Sequence, residues 1–228
     1  MIDHARDLVS VHDATERLLT AVGKMDDAAV REPSRLPGWS RGHVLAHLAR
    51  NADALVNVLE GRPMYADASV RDADIERDAP RPLEVQLTDL RESAARFQDT
   101  GAAPADWSRT VELRNGVTDV AARVPFRRWV EVELHHVDLG IGYRLEDLPA
   151  DFVARETDFL AERFAGHPDV PPTRLTDGTR AWRTGREADG PEVTVTGSPA
   201  DLLGWLAGRR AGTGLTVAGG TLPALPPL

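Results

Sequence analysis

Glu131 and His135 stand four residues apart in WVEVELHHVDLG, and His43 and His47 stand four apart in RGHVLAHLA. On a helix, side chains at that spacing meet on one face. Helical bundles build metal sites by pointing Glu and His inward from facing helices. Neutral imidazole and carboxylate suit zinc or another divalent first-row ion. Each pair alone is more simply a solvated surface contact. Both together, on two helices of one bundle, make a metal site an even choice.

A helical wheel separates the two histidines of the first pair. At ~100° per residue the apolar face centres on Val44, Leu48 and Leu55. His47 lies beside Asn51, Ala54 and Val58 at the edge of that face, whereas His43 lies further round, toward Arg50 and Asn57. His47 is therefore the better inward ligand. Glu131 and His135 border the stripe Val130, Leu134, Val137 and Ile141. His136 reads as a polar-face histidine, and His4, His12 and His167 have no partner at suggestive spacing. Three protein ligands would leave tetrahedral zinc an open position, as catalytic rather than structural sites do. Water would fill it, or a thiol whose pKa the ion depresses.

These side chains need helices to hold them. Apolar residues at helical spacing predict a first helix from Ile2 to about Val22. Ser40 is placed to cap a second, from Arg41 to about Glu60, which Gly61 and Pro63 stop. Pro82 opens a third, to about Gln98, and Pro125 leads into a fourth, FRRWVEVELHHVDLGIGY. Residues 64–80 are acidic, show no clear period and read as a long connection. Four long helices with apolar stripes predict a four-helix bundle. Another helix is expected over Ala150 to Phe164, followed by the linker GHPDVPP. Short β-like runs then fall at Thr173–Leu175, Arg180–Arg183, Val193–Thr196 and Leu215–Ala218. Between the last two, Ser198, Pro199 and Asp201 mark a helix start. The tail GGTLPALPPL is expected to run as an extended strap. The expected class is α+β, with a helical bundle over 1–165 and a small α+β C-terminal domain over 166–228.

Composition narrows the chemistry. The chain has 228 residues and no cysteine, which removes disulfides, iron–sulfur clusters, Cys-zinc sites and any thiol nucleophile of its own. A net charge of −9 argues against nucleic acid as a partner. The first residues are charged rather than signal-like, and no run approaches ~18 apolar residues, so a cytoplasmic protein without membrane contact is expected. Lys24 is the one lysine among 27 basic residues, so anion binding falls to arginine, which grips carboxylates bidentately. That bias, with abundant Ala, Gly and Pro, points to a GC-rich genome.

The segments LPGWSRGHVLAHLARNADAL, PMY at Pro63–Tyr65, WVEVELHHVDLG and VTVTGSPADLLGWLAGR, in that order, resemble the mycothiol-dependent maleylpyruvate isomerase family. The resemblance covers essentially the whole chain. It implies a DinB-like metal-binding four-helix bundle followed by a small α/β domain. It places the metal ligands on His47, Glu131 and His135 and implies a divalent ion, zinc foremost. An arginine of the family, used in catalysis or in binding substrate or cofactor, falls on Arg209; Arg210 is adjacent, and the bland reading of Arg209 is a residue complementing a helix C-terminus. Asp138 becomes a candidate for orienting a ligand histidine. The implied activity is an isomerase of gentisate degradation in an actinobacterium, with mycothiol as cofactor. A metal-activated thiolate adds to the cis double bond of maleylpyruvate, the bond rotates, and elimination leaves fumarylpyruvate. The same site could instead transfer mycothiol to an electrophile, and a non-catalytic metal-binding module is a third reading. A monomer is expected, with a dimer as the alternative.

Overall fold

The computed structural model describes residues 2–186 and 192–227, and the chain forms two units, Met1–Tyr143 and Arg144–Leu228. In the first unit the Ser40 cap read from the sequence is present, and two aspartates supply caps the sequence reading did not name. Asp3 accepts from the Arg6 N–H to open α1 (His4–Val22), and Asp26 caps a single-turn α2 (Asp27–Arg31). Ser40 opens α3 (Arg41–Leu59) in a capping box whose other half is the His43 ring, with Nδ1 3.2 Å from the Ser40 N–H. The His43 imidazole thus serves the helix start and is not one of the three clustered side chains.

The acidic stretch expected to be a loop contains a helix, α4 (Ala68–Asp78), capped by Asp67. It escapes a periodicity search because ion pairs hold it as much as apolar packing does. Ile75 and Ala79 are buried, and so is Asp78, which Arg50 of α3, Arg77 and Arg81 surround. The close approach of α4 to α3 depends on Gly42, where a Cβ would stand 2.1 Å from the Ala79 carbonyl oxygen. Next come α5 (Leu83–Ala102), the hairpin β1 (Thr110–Glu112) and β2 (Thr118–Val120), and α6 (Val124–Asp138). The hairpin is antiparallel, with Asn115 in the left-handed region at its tip. Its three-residue strands carry too little alternation to be visible in the sequence.

The bundle consists of α1, α3, α5 and α6. The helix α3 packs on α4, α5 and α6, while α1 packs on α5 and α6. Val44, Leu45, Leu48, Leu55, Phe97, Trp129 and Val132 fill its centre. Because α6 is enclosed on several sides, His136 is buried and stacked on Tyr143 at 4.0 Å instead of lying on a polar face.

In the second unit α7 (Ala150–Phe164) packs against α8 (Pro199–Leu206) and the strand β4 (Ala181–Thr184). The division between units therefore falls before α7, at Tyr143/Arg144, and not at 165/166 as the sequence suggested. A helix-period pattern reports an apolar face but not which neighbour covers it. The strands β3 (Thr173–Thr176), β5 (Val193–Thr196) and β6 (Thr216–Ala218) join β4 in a sheet of order β4-β3-β5-β6. The β3–β5 pair is parallel and the other two are antiparallel. Ser198 caps α8 through the Asp201 N–H, with Pro199 at its first turn. Residues 219–227 form neither helix nor strand, and Pro223 is buried. The architecture is thus α+β, a helical bundle followed by a small α/β unit. Among the described residues no helix is long and apolar enough to cross a membrane.

Candidate metal centre

The pairing of α3 with α6 brings His47 to Glu131 and His135. His47 Nε2 lies 2.9 Å from Glu131 Oε2, and His135 Nε2 lies 3.3 Å from the same oxygen. One ligand atom from each of the three residues falls within 4.8 Å of the others. The two imidazoles meet edge to face at 4.6 Å. His47 and His135 are largely enclosed, while the Glu131 side chain keeps 33% of its surface exposed, so the cluster is open on one side.

The charges on the three groups follow from their surroundings. Burial lowers His47 to about 4, so its imidazole is neutral near neutral pH, the form that ligates a metal. Burial alone would raise Glu131, but the two imidazoles beside it hold its carboxyl well below the usual range. Burial likewise works to lower His135, and it is outweighed by Asp138 and Glu131, which favour its protonated form. A divalent ion entering here would replace a proton as the partner of Glu131.

Neighbouring side chains fix this geometry. Asp138 is buried, and its Oδ2 stands 2.9 Å from His135 Nδ1, turning Nε2 toward the cluster. Arg128, one turn before Glu131, is buried and donates through Nη1 to the Leu48 carbonyl and to Asn51 Oδ1, each at 2.8 Å. It clamps α6 to α3 at the ligands' level. Burial lowers its pKa to about 10, with Glu131 and Asp53 supporting the charge.

Three further side chains near the centre, Trp39 and Arg71 in contact with His47 and Tyr65 beyond them, were not identified as site residues from the sequence. Trp39 lies 5.6 Å from the His47 ring, centroid to centroid. Arg71 of α4 sits with its Cζ 6.0 Å from the Trp39 ring centroid and its Nη2 3.4 Å from His47 Nδ1. The Tyr65 phenol is raised above its usual range by burial. Trp39 and Tyr65 lie within the motifs LPGW and PMY, which carried a signal. Arg71 had none, because the segment around it read as a connection. A cavity of about 510 Å³ runs from Tyr65 along the β1–β2 hairpin, with Arg62, Arg109 and Arg114 among its lining and Asp67 and Glu112 as its acidic members.

Arg209 lies in the second unit, just past α8, where its Nη1 donates to the Ala207 carbonyl at 2.8 Å. Arg210 pairs with Asp201 at 2.6 Å and with Glu146. The guanidinium of Arg210 is therefore committed to carboxylates of its own unit.

Residues 11–140 match the family model for the mycothiol maleylpyruvate isomerase N-terminal domain, and residues 147–227 match that for the MDMPI C-terminal domain. Two solved structures resemble the chain over nearly its whole length. One is the crystal structure of the mycothiol-dependent maleylpyruvate isomerase, at TM-score 0.88, and the other is that of a histidine-to-alanine mutant, at 0.89. Each is 25% identical in sequence, and each alignment covers 99% of this chain and 97% of the other. The comparison with curated proteins gives no match.

Proposed function

The chain belongs to the mycothiol maleylpyruvate isomerase family, and from that membership we propose that it is a mycothiol-dependent cis–trans isomerase converting maleylpyruvate to fumarylpyruvate. The observation that carries the reading is the convergence of two imidazole nitrogens and one carboxylate from facing helices, open on one side. An N,N,O donor set suits zinc and fits poorly the oxygen-seeking Mg²⁺ and Ca²⁺. His47, Glu131 and His135 would hold the ion.

When bound, the ion supplies a Lewis acid that lowers the pKa of a thiol. Mycothiol would supply the sulfur nucleophile that a chain without cysteine lacks. The protein's own part is positioning. Asp138 holds the His135 ring, Arg128 fixes the register of α3 against α6, and Trp39 walls the His47 side. Arg209 is assigned to binding substrate or cofactor on the family resemblance.

Asp138→Ala should keep the fold and lower zinc affinity ~10–100-fold, as loss of an outer partner of a ligating histidine does. Competition with a chromogenic chelator measures this, and an affinity equal to that of the parent protein would remove Asp138 from the centre. The activity is tested by incubating zinc-loaded protein with maleylpyruvate, with and without mycothiol, and following fumarylpyruvate. Conversion that requires the thiol is expected. Absence of conversion, with conjugation of a model electrophile in its place, would replace the isomerase with a mycothiol S-transferase.

A further inference from the structure

We infer that Arg71 is the anion-binding residue of the first unit's centre, accepting a carboxylate of a dicarboxylate substrate beside the ligand His47. The inference rests on the proposed metal centre and adds to it a residue and a substrate chemistry.

The argument starts from hydrogen-bond inventory. Both histidine Nε2 atoms face Glu131 Oε2, so Nε2 is the inward, ligating nitrogen of His47. An imidazole that ligates through Nε2 carries its proton on Nδ1. His47 Nδ1 faces Arg71 Nη2 at 3.4 Å. Guanidinium nitrogens only donate, so with an ion on Nε2 two donors confront each other at that contact. The Nη2 group then needs another acceptor. Within reach of Nη1 is Asp72 Oδ1 at 2.5 Å, a neighbour in sequence whose side chain is 63% exposed. That partner engages Nη1 and does not replace the acceptor at Nη2.

The position of Arg71 favours an incoming carboxylate as the acceptor. The Arg71 side chain is 15% exposed, so its charge is only partly screened by water. Trp39 lies against it as a cation–π partner, which limits its orientations. A divalent ion with two neutral imidazoles and one carboxylate leaves a net positive charge, so the centre and Arg71 attract the same anion. A planar guanidinium fork matches a carboxylate bidentately, which a lysine cannot do.

Binding of maleate to the zinc-loaded protein, followed by titration calorimetry, tests this without catalysis. Maleate is a dicarboxylate that carries a carboxylate on a cis double bond, as maleylpyruvate does, and lacks its ketones. The parent protein should bind it, and Arg71→Gln should weaken binding ~10–100-fold while still holding one zinc per chain. Arg71→Lys should recover only part of the loss. With maleylpyruvate as substrate, Arg71→Gln should raise KM more than it lowers kcat. Equal maleate affinity in the parent and in Arg71→Gln, or none in the parent, would overturn the inference. So would loss of zinc from both variants, which would make Arg71 a structural partner of His47. Because the calorimetry needs no turnover, a failed isomerase assay alongside Arg71-dependent maleate binding would reject the proposed reaction and leave the role of Arg71 standing.

Discussion

His47→Ala is expected to abolish both stoichiometric zinc binding and turnover while the protein stays folded. His47 is the only ligand contributed by α3, and without it the ion would have Glu131 and His135 alone, one turn apart on α6. Two ligands from one helix leave half of a tetrahedral shell to water, and the chelate across the α3–α6 interface is lost. The loss should exceed the ~10–100-fold that removal of an outer partner costs. The fold should survive, because burial already disfavours the protonated imidazole and alanine is the best helix former. Far-ultraviolet circular dichroism checks the fold, and elemental analysis with the isomerase assay checks the rest. A variant that retains full activity would remove His47 from the centre.

The largest expected loss of stability comes from Glu133→Ala. Glu133 is buried on α6 and accepts from Arg17 Nη2 of α1 at 2.6 Å, from Trp129 Nε1 at 3.1 Å and from the Tyr143 hydroxyl at 2.9 Å. Burial, with the Glu133 carboxylate beside it, holds the Tyr143 phenol well above its ordinary range, so it remains a donor. Removing the carboxylate strands all three donors. The Arg17 side chain is 41% exposed and can turn to water, so the cost falls chiefly on Trp129 and Tyr143. Unsatisfied buried donors cost ~1–3 kcal/mol each, giving a total of about 3 kcal/mol. Glu133→Gln, which keeps one acceptor, should recover part of this. Urea unfolding followed by tryptophan fluorescence measures it, and a loss below ~1 kcal/mol would show that the contacts contribute little. Because α6 also carries Glu131 and His135, zinc affinity should fall along with stability.

The parts of the molecule that were legible in the sequence are those that local chemistry determines. The helices α1, α3, α5 and α6 show in their apolar spacing, and Ser40 and Ser198 mark starts that the structure contains. The cluster of His47, Glu131 and His135 was legible because two i, i+4 pairs and one wheel orient it. What was hidden depends on partners distant in sequence. The helix α4 is held through Asp78 by Arg50, twenty-eight residues away in the chain, so no stripe announces it. Arg71 lies on that helix and was hidden with it. His136 was read as polar-facing because its chemistry is polar, yet the enclosure of α6 and the ring of Tyr143 bury it. The place of α7 in the second unit depends on β4 and α8, which follow it in the chain.

X-ray absorption at the zinc edge of the loaded protein tests the centre most directly. The account predicts one tightly held zinc per chain, with two imidazole nitrogens at ~2.0–2.1 Å, a carboxylate oxygen at ~2.0–2.2 Å and a further light-atom ligand in the remaining position. The imidazole signature should disappear with the metal in His47→Ala. A shell of oxygens without imidazole, or no zinc retained after removal of the excess, would contradict it.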